Sequence, residues 1–181
     1  MSKNLIVLFP GVRYSVDCPL LYYADFCYGL RGYEVKSINS YEVDEVDGLA
    51  DLNTYAALAE ENVLKQLQHV EWNRYDNIVF ASKSIGTVIA LWLEDKLQLE
   101  CVRHILLTPL NQTISFMEKE RKYQCIVTGT EDRFVDWKEL EEFCQKRNYP
   151  LTVIEGVGHR LETEDDFMEN LNILNQIVKL Y

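Results

Sequence analysis

Three residues of this chain, Ser84, Asp132 and His159, have side chains suited to nucleophilic chemistry. A serine hydroxyl is a weak nucleophile at neutral pH, so it needs a base within hydrogen-bond reach. That base needs a carboxylate to orient it. Ser84 lies in the stretch 77–87, NIVFASKSIGT. Residues 78–81 are an apolar, β-branched run long enough for a buried strand. The run breaks at Ser82-Lys83-Ser84-Ile85-Gly86, and helical spacing follows through Ile85, Val88, Ile89 and Trp92. A strand that turns into a helix through small-x-Ser-x-Gly pushes one hydroxyl, here that of Ser84, out at the carboxyl end of a sheet. The next backbone N–H, that of Ile85, sits at a helix N-terminus, where anions are favoured. The usual pattern has glycine where this chain has Ser82, and a small-residue turn in any doubly wound protein reads the same way.

The base is sought among three histidines. His69 falls within a long helical pattern, on its wet side. His104 sits inside the apolar run 102–107, where a satisfied core or sheet-face histidine is the usual outcome. His159 lies in Glu155-Gly156-Val157-Gly158-His159, directly after the last strand-like run, and is the natural base. For the carboxylate, Asp132 follows the preceding strand in Gly129-x-x-Asp132. Its neighbour Glu131 is the alternative, while Asp136 reads as a helix cap with Glu139 completing a capping box. The chain order is serine, acid, histidine.

The elements that must position these residues alternate. Residues 5–9 (LIVLF) read as a fully apolar strand, followed by a turn at Pro10-Gly11-Val12-Arg13. Leu20, Tyr23, Ala24, Cys27 and Leu30 give a helix that stops at Gly32, and 33–37 reads as a strand near a sheet edge. An acidic loop with Glu42, Asp44, Glu45, Asp47 and Asp51 lacks the spacing of a calcium site and reads as solvated. Apolar spacing then predicts a helix over 51–72. Strands follow at 102–107, 125–128 and 151–154, with a polar, basic stretch at 110–123 between the first two. Thr163 is placed to cap a closing helix through Phe167, Leu171, Leu174 and Val178. Such alternation gives an α/β protein with a parallel sheet and helices on both faces. Ligands in these sheets bind beyond the carboxyl ends of the strands, where every candidate residue falls.

With 181 residues and a 48% hydrophobic fraction, the chain suits one domain, 1–181, with a full core. No apolar stretch approaches the ~20 residues of a membrane helix, and the N-terminal run is too short for a signal peptide. The five cysteines show no C-x-x-C and no metal spacing, so they read as reduced thiols of a cytoplasmic protein. A net charge of −11 argues against nucleic acid as a partner. No cofactor and no metal are called for.

The sequence resembles the α/β-hydrolase superfamily over nearly its whole length, from Pro10-Gly11 through the serine elbow to the histidine loop. The resemblance implies a serine hydrolase with Ser84 as nucleophile, His159 as general base and Asp132 as the triad acid. It implies an oxyanion hole made by the backbone N–H groups of Val12 and Ile85. The turn after the first strand usually reads His-Gly-x in this family, and here it reads Pro10-Gly11-Val12. The implied architecture is a three-layer sandwich around six mostly parallel strands, ordered 2-1-3-4-5-6. The opening antiparallel hairpin and the cap domain of larger members are missing; only 110–123 stands where a cap is usually inserted.

Each proposed site residue has a basic neighbour: Arg13, Lys83, Arg133 and Arg160. In so acidic a chain this suggests a locally positive rim that accepts a small acyl substrate bearing a carboxylate or phosphate. The expected function is cleavage of a small ester or thioester. A fold kept as a binding module with a decayed site is the alternative, motivated by Pro10 and Ser82. A nucleotide-binding domain ranks last, because no G-x-G-x-x-G or P-loop follows any strand.

Overall fold

Residues 5–9 carry no polar side chain, so a strand built from them must be covered on both faces. In the computed structural model, which describes residues 3–41 and 52–181, strand β1 (Asn4–Phe9) is the second strand of the sheet and Leu5–Phe9 are fully buried. The acidic loop with Glu42, Asp44, Glu45, Asp47 and Asp51 lies outside the described residues. The other strands are β2 (Glu34–Ser37), β3 (Asn77–Lys83), β4 (Val102–Leu107), β5 (Lys122–Gly129) and β6 (Leu151–Ile154). All pair in parallel, in the order β2-β1-β3-β4-β5-β6. This is an α/β fold with the expected strand order.

Side-chain alternation sorts the core into two layers. Ile6, Leu8, Val79, Ala81, Ile105 and Leu107 face helices α1 (Pro19–Leu30) and α6 (Phe167–Val178). Leu5, Val7, Phe9, Ile78 and Phe80 face α2 (Leu52–Gln66) and α3 (Ile85–Leu97). Leu106 and Ile126 extend that second layer to α4 (Asn111–Met117) and α5 (Trp137–Arg147). Helix α1 starts with Pro19 in its first turn, where the missing N–H costs nothing, and the chain leaves it through Gly32 at φ +80°.

Several local expectations are corrected or refined. Helix α2 ends at Gln66 and not at 72, because the ladder tightens: Gln68 N–H donates to Lys65 O and Val70 N–H to Leu67 O. Val70 and Trp72 continue the apolar spacing from a turn and a short 3₁₀ segment (Trp72–Arg74), so the pattern outlives the helix. His69 therefore lies in that turn, exposed, and not on the helix. The stretch 110–123 contains the seven-residue helix α4.

Asp136 caps α5 by accepting from the N–H groups of Lys138 and Glu139. The capping box does not close, since Asp136 N–H donates to Asn111 Oδ1 at 3.1 Å and not to Glu139. Helix α6 is capped by Asp166, not Thr163. Asp166 Oδ1 accepts from Met168 and Glu169 at 2.9 and 3.0 Å, while the Thr163 hydroxyl turns toward Asp166 O and Asn170. Among the described residues, no helix is long and apolar enough to cross a membrane.

Candidate active site

Strand β3 delivers the serine. Ser82 is fully buried, its hydroxyl donates to Ile105 O at 3.1 Å, and its φ is not in the left-handed region. A serine is thus accommodated where glycine is customary, because the turn's abnormal backbone falls two residues later. Ser84 itself has φ +57° and ψ −123°, a conformation unfavourable for any side chain with a Cβ. Surrounding bonds hold it there: Ser84 N–H donates to Leu107 O at 3.0 Å, and Ser84 O accepts from Thr87 N–H at 2.9 Å.

The close approach of α3 to β1 requires Gly86, where a Cβ would stand 2.5 Å from Pro10 O and 2.6 Å from Phe9 O. Ser84 is the N-cap residue of α3, but its side chain makes no capping bond, so the hydroxyl is available to the histidine.

A run of buried hydroxyls braces the turn. Thr87 Oγ1 donates to Ser84 O at 2.6 Å, so its own oxygen must accept from Thr113 Oγ1, 2.7 Å away. Thr113 Oγ1 in turn accepts from Leu110 N–H at 2.9 Å. Every donor points the same way, from the start of α4 to the backbone of Ser84, and bonds aligned in this way reinforce one another.

The loop after β6 supplies the base. His159 Nε2 stands 2.7 Å from Ser84 Oγ, and its Nδ1 stands 2.8 and 3.0 Å from the two oxygens of Asp132. A carboxylate only accepts, so Nδ1 carries the proton and the Nε2 lone pair faces the serine hydroxyl. The loop is pinned: Val157 is buried, Glu131 N–H donates to Val157 O at 3.0 Å, and Gly156 N–H donates to Thr130 Oγ1 at 2.9 Å. Asp132 is buried and also accepts from Phe134 N–H at 3.0 Å, whereas Glu131 is exposed, so Asp132 is the carboxylate that meets the ring.

Burial lowers the His159 pKa below its usual 6.5. The bond to Asp132 pulls it up again, and the charges of Lys83 and Arg133 push it down. Phe134 covers the imidazole with ring centroids 4.6 Å apart.

Of the two residues named for the oxyanion, Ile85 directly follows Ser84, and Val12 directly follows Gly11, which approaches it. Ile85 opens α3, where the first N–H groups have no intrahelical acceptor. A Cβ on Gly11 would stand 3.1 Å from Ser84 Cβ, so this loop runs against the serine.

The four basic neighbours do not form one rim. Lys83 is a correction: it is almost fully buried and points to the α1/α6 face, as the alternation Val79, Ala81, Lys83 requires. Its ammonium donates to Thr108 Oγ1 and to His159 O. Arg160 is exposed and pairs with Glu162 at 2.8 Å. Arg133 is exposed and lies over the Phe134 ring, and Arg13 is exposed at φ +56° in the turn after β1.

Sequence spacing missed Thr108, the Tyr14 ring whose centroid lies 5.1 Å from the Lys83 ammonium, and the Thr87–Thr113 pair. Only the pleat rule, applied to residue 83, carried a signal for any of these contacts. His104 is buried as expected but only half satisfied: Nε2 stands 3.0 Å from Glu94 Oε2, while Nδ1 has no hydrogen-bond partner among the described residues.

No protein-family model matches the chain, and no curated protein does. Solved structures do. An α/β serine hydrolase homologue from Coxiella burnetii aligns at a TM-score of 0.64 and 17% identity, covering 99% of this chain and 85% of that one. A lidless α/β serine hydrolase from Xanthomonas campestris aligns at 0.66 and 15%, covering 99% and 82%. An esterase from Pyrococcus furiosus aligns at 0.65 and 12%, again covering 99% and 82%. At these identities the likeness is one of fold.

Proposed function

On an α/β-hydrolase fold, we propose that this protein is a serine hydrolase cleaving a small ester or thioester through an acyl-enzyme on Ser84. The supporting observation is the unbroken line Asp132–His159–Ser84, with 2.8 Å at one joint and 2.7 Å at the other. Those distances lie within the reach required of a general base and its orienter. Burial disfavours the charged form of the His159 imidazole, and a base acts in its neutral form.

Ser84 Oγ attacks the acyl carbon while its proton passes to His159 Nε2. Negative charge builds on the former carbonyl oxygen, which the N–H groups of Val12 and Ile85 receive. One such donor is worth about 3 kcal/mol in the transition state. Asp132 stays ionised and holds the imidazolium in place. Collapse breaks the bond to the leaving alcohol or thiol, which takes the proton from Nε2. A water then gives its proton to Nε2, attacks the acyl carbon and breaks the bond to Oγ. The acid departs and Ser84 recovers its proton.

The seven-residue α4 is too short to enclose a long acyl chain, which favours small, soluble substrates. Any preference for anionic substrates rests on exposed guanidinium groups such as Arg13 and Arg133 and not on Lys83, which is buried.

The direct test is labelling by a fluorophosphonate probe, with hydrolysis of short-chain p-nitrophenyl esters measured beside it. Covalent labelling that is lost in Ser84→Ala, together with turnover, supports the reading. An unlabelled wild type would leave a binding module on a hydrolase fold.

A further inference from the structure

A buried cation is costly unless its donors are satisfied, and Lys83 has an uncommon set of partners. Its ammonium donates to Thr108 Oγ1, donates to His159 O at 2.7 Å, and lies 5.1 Å from the ring centroid of Tyr14. Its stem passes Gly11, where a Cβ would stand 3.5 Å from Lys83 Cγ. A single side chain from β3 thus reaches the segments that follow β1, β4 and β6. Among the described residues no carboxylate forms an ion pair with it. An apolar side chain would fill this place, beside Val79 and Ala81, without that desolvation. The cation therefore calls for a reason other than packing, and the reason lies in what it touches.

We propose that Lys83 is a positioning residue for His159. Its ammonium holds the carbonyl of His159 so that the imidazole faces Ser84, and its charge opposes a second positive charge on that imidazole. The role rests on the serine-hydrolase reading of the site. The clamp acts on the backbone of the same residue whose ring is the base, so a shift of the loop would be felt at Nε2 directly. A displacement of about 1 Å in a reacting group costs as much as a hundredfold in rate.

The charges facing each group are few. His159 faces Asp132, which favours its protonated form, and Lys83 and Arg133, which oppose it. Lys83 faces Asp132, Glu162 and Cys18, which favour its charged form, and Arg160, which opposes it; the Tyr14 ring lies beneath it. Burial lowers the Lys83 pKa to about 7. Below that value the ammonium counters an imidazolium at His159, and above it the opposition fades.

The test follows the His159 imidazole by NMR in substrate-free protein, its resonance assigned by its loss in His159→Gln. Lys83→Met is expected to raise the His159 titration midpoint by about half a pH unit or more, since a nearby positive charge is gone. The acid limb of kcat/KM moves the same way, and kcat falls about tenfold or more. Lys83→Arg, which keeps the charge, retains the wild-type limb. Where Lys83→Met does not fold, Lys83→Gln reads the same shift with a polar neutral chain. A side chain that merely supported the loop would lower kcat at every pH and leave both midpoints in place, and that result overturns the proposal. The titration needs no turnover, so its outcome is separate from Ser84 labelling, which tests the enzyme reading itself.

Discussion

Both carboxylate oxygens of Asp132 face a single nitrogen of His159, at 2.8 and 3.0 Å, while one of them also accepts the Phe134 N–H. The carboxylate has two tasks: it closes the turn before α5, and it fixes which ring nitrogen carries the proton. Asn at 132 can still accept from Phe134, so the turn survives. It brings an N–H toward Nδ1 and removes the charge that stabilises the imidazolium. Asp132→Asn is expected to lower kcat by about 10³- to 10⁴-fold. Its melting temperature stays within a few degrees of wild type. Ester turnover and calorimetry on the same sample check both halves.

The pH profile follows from the burial of His159. Its pKa is lowered from 6.5, so the neutral base persists somewhat below that value. Activity is expected to hold through neutrality and to fall on acidification with a midpoint below 6.5. A kcat/KM profile with its acid midpoint above 6.5 contradicts the assignment. Wild-type enzyme suffices for the measurement.

Glycines in this fold differ in what a methyl group would meet. At Gly86 a Cβ would press into the carbonyls of Phe9 and Pro10 at 2.6 and 2.5 Å, so backbone would have to move. Gly86→Ala is expected to cost upwards of about 3 kcal/mol and to abolish Ser84 labelling, as a large loss with a named steric cause. Gly32 has φ +80° but open space around its Cβ position. Gly32→Ala is expected to cost only about 1 kcal/mol, the conformational term alone, and to leave labelling intact. Urea midpoints of the two variants give the comparison.

Substrate charge is tested at Arg13 and Arg133, two of the exposed guanidinium groups near the site in sequence. If Arg13 and Arg133 draw anions, an acyl ester bearing a carboxylate has a lower KM than its neutral analogue. Arg133→Ala and Arg13→Ala then narrow the gap by a few-fold each, as expected of exposed charges, and salt narrows it further. Equal KM values for the two esters in wild type would end the idea.

Strand order and the placing of Ser84, Asp132 and His159 at strand ends were legible because apolar runs such as 5–9 and 102–107 have few other fates. Two ends misled. The spacing that marks α2 continues through Val70 and Trp72, which pack on the same core from a turn, so periodicity alone could not locate Gln66 as the last residue. Thr163 and Asp166 are both capable caps, and which one meets the helix depends on how the preceding loop closes. Lys83 shows a third kind of difficulty. Its sequence neighbour is the serine, yet the pleat sends consecutive side chains to opposite faces, so adjacency to a site residue said nothing about a shared rim.

The backbone of Ser84, at φ +57° and ψ −123°, carries a consequence for durability. The residue that does the chemistry occupies the conformation it tolerates least, so the protein gives up resilience where it gains reactivity. Ser84→Gly relieves that torsion and Ser84→Ala does not, although both lose the bond to His159. The glycine variant is expected to outlast the alanine variant by about 1 kcal/mol in thermal or urea melts, both being inert toward esters. An inert mutant hardier than its twin would mark this corner as kept for use rather than for endurance.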